Sequence, residues 1–592
     1  MNRMTLPIHE IYNQQIAEAE RQESEFWVES LAKSQESLRR NPQSADAYIE
    51  VAHCRRKLRQ HGEVREILEK GFARVPAEDS YQLHLWHIRW LEECNRTRDA
   101  IAAAQQASEL FPEKFLLKLI AALSLPVIYE SAEEIVEYRA RFTRGLCRLT
   151  QELSLETSAA REDACAAIAH HSNFRLAYQA QNDRDLQAEY GRLVHQIMAA
   201  NYPEWTKPLP MPEILAGEKM RVGYVSSRFR NLSAAKYFSG WISEHDRDAI
   251  SVHAYHVGSK TDSATEEIRK SSDTFRHIPG SLEEMCRAIL KDNLHVLVFL
   301  DVCLDPIITQ LAALRLAPVQ CAAWDQPITT GLPTIDYFIS SAVAEPDNAQ
   351  EHYSEKLLLL PGIGVNYLKP VIPAALLTKT RRDFQLHDDA IVYLCTQYAY
   401  KYLPDQDQLL VRIAKQVPSA QFVFLTENEF IAADLRRRLD RAFSAVNLAA
   451  KDYCVLLPAV ERFTYWNLSL LGDVFLDSIG WSGGVSTFEA IACRLPVVTL
   501  PGEFMRGRQS YAILKELGVT DTIAGNTDEY VQIAVRLGTD RTWRENIIER
   551  MAANFSSLYS DTRCVRSLED YFRRTVGTRD ADATNAVIDE RK

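Results

Sequence analysis

The stretch Leu476–Pro501 reads LDSIGWSGGVSTFEAIACRLPVVTLP. A short apolar run ends near Asp477, glycines follow at Gly480, Gly483 and Gly484, and a helical pattern starts around Ser486-Thr487. Glycine lets the main chain approach a ligand closely, and a helix start offers unbonded N–H groups and partial positive charge. Ser486 and Thr487 can cap that helix or donate to a phosphate, and Glu489, one turn in, can accept hydrogen bonds from ribose hydroxyls. Without a ligand the same residues make a tight strand-to-helix turn whose first-turn acid matches the helix dipole, and the local sequence does not choose between the two. Gly480-Trp481-Ser482-Gly483-Gly484 also fits the G-x-S-x-G nucleophile elbow. That elbow needs a histidine later in the chain, and none occurs after His387.

Other segments carry chemistry beside it. In Pro501–Ser510, Gly502 and Gly507 flank Arg506 and Arg508, and arginine suits bidentate contact with phosphate. In Cys395–Pro404, Gln397 and Lys401 share a face if a helix opens there, so Lys401 would reach a diphosphate at the strand edge; a surface lysine beside Tyr398, Tyr400 and Tyr402 is the plainer alternative. Arg221–Ser227 leads into a polar loop ending at Asn231. Gln320–Tyr337 gathers Trp324, Asp325, Thr329, Thr330 and Asp336 in a Pro- and Gly-containing loop. The phosphate-loop, dinucleotide-fingerprint and H-E-x-x-H motifs are absent. The D-x-D triplets (Asp183/Asp185, Asp246/Asp248, Asp405/Asp407) fall in helical or helix-start sequence and read as solvated faces, so no metal site is expected.

These loops need a frame. Residues 8 to 202 carry apolar positions at three- and four-residue spacing with little Gly, as in helices. Pro42, Pro76 and Pro112 stand 34 and 36 residues apart, the period of tetratricopeptide repeats, although most of that motif's Trp, Gly and Tyr positions are missing. An irregular all-helical domain is the alternative. After the Pro-rich 202–212 stretch, short Val/Ile/Leu/Phe runs alternate with helical patterns, which predicts βαβ units and parallel sheets in two sets. The expected division is a helical domain at 1–205, a first Rossmann-like lobe at 206–370, a second at 371–576 and a flexible tail at 577–592. Ligands of open α/β sheets bind beyond the strands' carboxyl ends, so the loops above are where function belongs.

Composition narrows the class. At 592 residues the chain allows three or four domains of about 150 residues each. A formal net charge of -12 argues against wrapping nucleic acid. Eleven cysteines without a C-x-x-C pair fit a reducing cytoplasm. The first residues lack an apolar signal region, and no run reaches the roughly 20 apolar residues of a membrane helix.

Taken in order, RVGYVSS (221–227), APVQ…W…P.TTGLPTIDYF (317–338), HYSEKLLLLPG (352–362), Gln-x-x-x-Lys (397–401) and GWSGGVSTFEAIACRLPVVTLPGEFMRGR (480–508) resemble the catalytic region of the O-linked N-acetylglucosamine transferase and SPINDLY family. The resemblance covers most of residues 215–575. It implies a pair of Rossmann-like lobes of the GT-B type, no metal or cofactor, and inversion at the sugar carbon. The co-substrate it implies is a nucleotide sugar, UDP-N-acetylglucosamine first, with GDP-fucose or UDP-glucose as other donors. Lys401 looks like the family's diphosphate-binding lysine. Gln397 stands near its nucleotide-contacting glutamine. Gly483, Gly484, Ser486, Thr487 and Arg508 match its phosphate and ribose loop, with Glu489 as the acidic ribose ligand. Asn231, Thr329 and Thr330 fall on the acceptor and sugar side.

The chain also departs from that pattern. Leu232 and Gln326 occupy the usual imidazole positions. Either the donor phosphate takes the acceptor proton, or Asp325 acts as base, or activity is weak. The expected partner is a protein or peptide acceptor gripped by the helical-repeat groove. A binding scaffold and a transferase with a non-protein acceptor are the competing classes.

Overall fold

The computed structural model describes residues 8–372 and 378–589. The first third is helical. Its helices follow apolar stripes, and Ala45–Lys57, Ala132–Glu152 and Ser158–Ile168 also carry a side-chain cap. In Ala132–Glu152, Ser131 accepts from the Glu134 N–H, and Ile135, Tyr138, Phe142, Leu146 and Leu149 face the core. Helical hairpins Ala45–Lys57 with His61–Arg74, and Tyr81–Glu93 with Thr97–Leu110, supply the repeat seen in the proline spacing.

Two parallel sheets follow. The first contains β1 (Met220–Ser226), β2 (Ile250–His256), β3 (Thr274–His277), β4 (Val296–Phe299), β5 (Val319–Ala322), β6 (Tyr337–Ser341) and β7 (Lys356–Leu360), in the order β3-β2-β1-β4-β5-β6-β7. The second contains β8 (Ile391–Cys395), β9 (Ala420–Thr426), β10 (Cys454–Pro458), β11 (Val474–Leu476) and β12 (Val497–Val498), in the order β10-β9-β8-β11-β12. Every strand pair is parallel. Strands such as VLVF (β4) and VQCA (β5) are buried at every residue, as expected where helices cover both faces of a sheet. The strand order reverses beside β1 and β4 in one lobe and beside β8 and β11 in the other, which sets the two crevices.

The helical domain packs on both lobes. Against the first, Gly191 meets Gly331 so closely that a Cβ on Gly191 would sit 2.2 Å from the Gly331 oxygen; Gly331 itself has a φ of +72°, so both approach and conformation require glycine. Against the second, Tyr178 stacks on Trp481 with ring centroids 4.0 Å apart. Buried Asp183 joins Arg139 of the helical domain (2.8 Å) to Arg506 of the second lobe (3.1 Å).

The final helix is Arg563–Asp589. Its early turns return to the first lobe, where Glu569 accepts from the Asp246 N–H (2.7 Å) and hydrogen-bonds His245 (3.0 Å), and Tyr571 meets Tyr337 edge-on. The helix continues through Asp589, into the 577–592 stretch. Residues 590–592 lie outside the described residues.

Candidate functional site

A cleft of about 880 Å³ lies between the lobes, with the helical domain as its third wall. Its lobe residues follow strand ends: Arg228 after β1, Asp325 and Gln326 after β5, Thr396–Lys401 after β8, Thr426 and Glu427 at β9, and Trp481, Gly484, Ser486 and Glu489 after β11. The helical domain adds Glu92, Ser124 and residues 170–176 with Tyr178.

Asp477 organises the second lobe's face of the cleft, although in the sequence it marks only a strand end. Its Oδ1 accepts from the Gln397 amide (2.7 Å) and the Gly483 N–H (2.6 Å), and its Oδ2 accepts from Thr499 (2.7 Å). Burial raises this carboxyl to about 6, opposed by hydrogen bonds from Gly483 and Thr499. Gln397 is thereby turned so that its Oε1 accepts from Lys401 Nζ at 2.8 Å, and Lys401 also donates to the Ser482 carbonyl at 3.4 Å. Burial pulls the Lys401 ammonium down to about 8, with the Asp477 charge acting the other way. The lysine sits on the short 3-10 turn Ala399–Lys401 rather than an α-helix, and still reaches the strand edge. The signal that could have found Asp477 is its position: an acid closing an apolar strand directly before a Gly-rich loop.

The helix Val485–Ala492 begins at Gly484 with no side chain capping its first turn. A Cβ on Gly484 would lie 1.8 Å from the Tyr237 hydroxyl of the first lobe. Ser486 and Glu489 line the cleft. Glu489 accepts from Lys236 of the first-lobe helix Ser233–Ser243 at 2.7 Å.

Several expected residues are placed elsewhere. Thr487 is fully buried and shares a hydrogen bond with Ser510, because its position on the helix turns it inward. Arg508 donates to the carbonyls of Ala344 (2.9 Å) and Gly502 (3.3 Å) and lies over Tyr511, outside the cleft lining. Arg506 is the buried partner of Asp183. Thr329 and Thr330 both donate to Glu355, which fixes their hydroxyls inside the first lobe. Asn231 is exposed and donates to Ser263, away from the cleft. Ser482 is fully buried, and its oxygen accepts from the N–H groups of Gln509 and Ser510, so it serves as a helix cap.

Asp325 does reach the cleft. Its side chain is wholly enclosed, 3.9 Å from Arg228 Nε, and neither carboxylate oxygen has a hydrogen-bond partner in good geometry, with the Ser233 hydroxyl beside it. Burial raises it to about 6, opposed by Ser233 and Arg228.

Two parallel α/β lobes facing one cleft, with a lysine and an uncapped helix start converging on it, define the class. The chain belongs to glycosyl transferase family 41, whose model matches residues 167–364 and 369–566. It is 26% identical over 386 residues to "Probable UDP-N-acetylglucosamine--peptide N-acetylglucosaminyltransferase SPINDLY" of Solanum lycopersicum, covering 63% of this chain and 40% of that protein. It is 25% identical over 391 residues to the protein of Arabidopsis thaliana named "Probable UDP-N-acetylglucosamine--peptide N-acetylglucosaminyltransferase SEC", covering 64% and 40%. The chain thus spans about 40% of the length of these curated relatives. Its fold is similar to a lysine-to-methionine mutant of the O-GlcNAc transferase of Thermobaculum terrenum, with a TM-score of 0.68, 22% identity, and coverage of 96% of this chain and 97% of that one.

Proposed function

We propose that the protein is an inverting, metal-independent glycosyltransferase that moves N-acetylglucosamine from UDP-N-acetylglucosamine to serine or threonine of a protein acceptor. The observation that carries this is the convergence of Lys401 Nζ, fixed by Gln397 and Asp477, with the uncapped start of the 485–492 helix. Expelling a nucleoside diphosphate builds negative charge, and a half-buried cation with preorganised N–H groups stabilises it without reorganisation. Glu489 takes the ribose hydroxyls. Asp325 takes the acceptor proton, a step worth about 10²–10⁴-fold when a side chain supplies it. The acceptor enters along the wall that the helical domain contributes, since stacked helix pairs offer grooves suited to polypeptide. All eleven cysteines are free, which fits a reaction in the reducing cytoplasm.

The names of the relatives support the donor and acceptor, and the cleft supports the chemistry. The test is transfer of radiolabelled N-acetylglucosamine from UDP-N-acetylglucosamine into lysate protein, beside calorimetric donor binding. Transfer that fails without protein acceptor supports the reading. Tight donor binding without transfer or hydrolysis would favour a sugar-nucleotide-sensing scaffold instead, a reading to which the loss of imidazole at Leu232 and Gln326 lends itself.

A further inference from the structure

Buried polar atoms without partners collect at one place in the cleft wall. Both Asp325 oxygens, the Arg228 Nε and both amide atoms of Gln326 are buried and receive or donate no hydrogen bond within the protein. An unsatisfied buried polar group costs about 1–3 kcal/mol, and a cluster of them is kept where a ligand or water completes the bonding. The Asp325 side chain is 0% exposed and that of Arg228 34%, so the acid is enclosed while the guanidinium bridges to the open cleft.

The surroundings of Asp325 leave Arg228 as the cation that opposes its burial. From the helical domain, the Tyr178 phenol faces the acid. From the Ser233–Ser243 helix come Ser233 and Tyr237. From the end of β4 comes Asp301, a second buried carboxyl, which accepts from Ser226 (3.1 Å) and Ser227 (2.9 Å). The Ser233 hydroxyl supports the charged acid first and the Arg228 guanidinium second, whereas a neighbouring carboxyl and two buried phenols do not. No hydrogen bond or closer ion pair engages the Arg228 side chain among the described residues, although its charge is also felt by Asp301 and Tyr400.

We infer that Arg228 is the positioning residue of the acceptor-activating acid, holding the Asp325 carboxylate charged and turned toward the cleft so that it takes the proton of the acceptor hydroxyl. This rests on the transferase reading above. In the step, the acceptor oxygen forms its bond to the anomeric carbon as that carbon's bond to the diphosphate oxygen breaks. The electron pair leaves with the nucleoside diphosphate, and the acceptor proton passes to Asp325. Arg228 touches neither reacting atom.

The test uses the full chain with labelled UDP-N-acetylglucosamine and a dialysed lysate as acceptor. Arg228→Met is expected to lower incorporation by about 10²-fold, the scale of general-base catalysis, while donor affinity measured by calorimetry stays within about twofold. The acid limb of its rate–pH profile moves to higher pH, because the acid has lost its cation. Arg228→Lys restores much of the rate, and Arg228→Met combined with Asp325→Asn is no slower than Asp325→Asn alone. The inference is overturned if Arg228→Met weakens donor binding more than about tenfold (1.4 kcal/mol), which would make Arg228 a phosphate ligand, or if the two losses multiply. Unchanged melting of Arg228→Lys guards against a folding defect. A wild-type chain that binds no donor removes the transferase reading itself, and this inference with it; a wild-type chain that transfers sugar with Arg228→Met unaffected removes this inference alone.

Discussion

Lys236 of the first lobe donates to Glu489 of the second at 2.7 Å, so the acid proposed to hold the donor ribose is already engaged across the cleft. The Glu489 side chain is 7% exposed, and a charged hydrogen bond of this kind is worth about 1.5–3 kcal/mol. Glu489→Gln is therefore expected to weaken donor binding by roughly tenfold or more. Lys236→Met acts in the same direction and more weakly, since it frees the acid without removing it. Calorimetric titration with UDP-N-acetylglucosamine measures both, and tighter binding by Lys236→Met would show that the pair competes with the donor.

The pH dependence follows from the enclosed Asp325 and the half-buried Lys401. Asp325, raised to about 6, must be ionised to accept a proton, so kcat/KM falls as pH drops through about 6. Lys401, lowered to about 8, must be protonated to hold the diphosphate, so kcat/KM also falls as pH rises through about 8. The expected profile is a bell with its maximum near neutrality. In Asp325→Asn the residual rate loses the acid limb attributed to this group and keeps the alkaline one. A wild-type rate that is flat from pH 7 to 10 would contradict the role of Lys401.

At Gly484 the Gly-rich loop of the second lobe packs tightly against Tyr237 of the first. An added methyl would meet the Tyr237 hydroxyl at 1.8 Å and the Gln509 amide oxygen at 2.2 Å. Gly484→Ala should cost about 2 kcal/mol through overpacking and push the helix start from its place, which thermal unfolding and donor calorimetry read together. Unaltered melting with unaltered donor affinity would mean that the lobes yield freely there.

The Arg139–Asp183–Arg506 contact ties the helical domain to the second lobe in a largely buried interface. Asp183→Asn leaves two arginines without their charge partner and is expected to destabilise the chain by about 3 kcal/mol, seen as an earlier unfolding transition. A loss below about 1 kcal/mol would place this contact among the dispensable ones.

Much of this was legible in the chain. Strands such as β4, β5, β8 and β9 show as short apolar runs, and the Gly-rich turn and Lys401 do meet at one cleft. The edge strand β3 (TFRH) escapes notice because it is short, polar and nowhere fully buried. The hydroxyl and arginine assignments were harder, for a physical reason. Whether Thr329 and Thr330 face a ligand depends on Glu355, and whether Arg506 faces a phosphate depends on Asp183, more than three hundred residues away in sequence. Local spacing specifies which face of an element a side chain occupies and says nothing of the distant partner that claims it. Asp477 shows the converse: a residue that touches several others gains its role only when those others are in place.

The account turns on Lys401 and the helix start holding the departing diphosphate. Incorporation of labelled N-acetylglucosamine into lysate protein, compared between wild type and Lys401→Ala at neutral pH, tests this directly. The variant is expected to melt normally and to transfer sugar at least about 10²-fold more slowly, the usual cost of losing one preorganised charge-stabilising donor. Equal incorporation by the two proteins would contradict it.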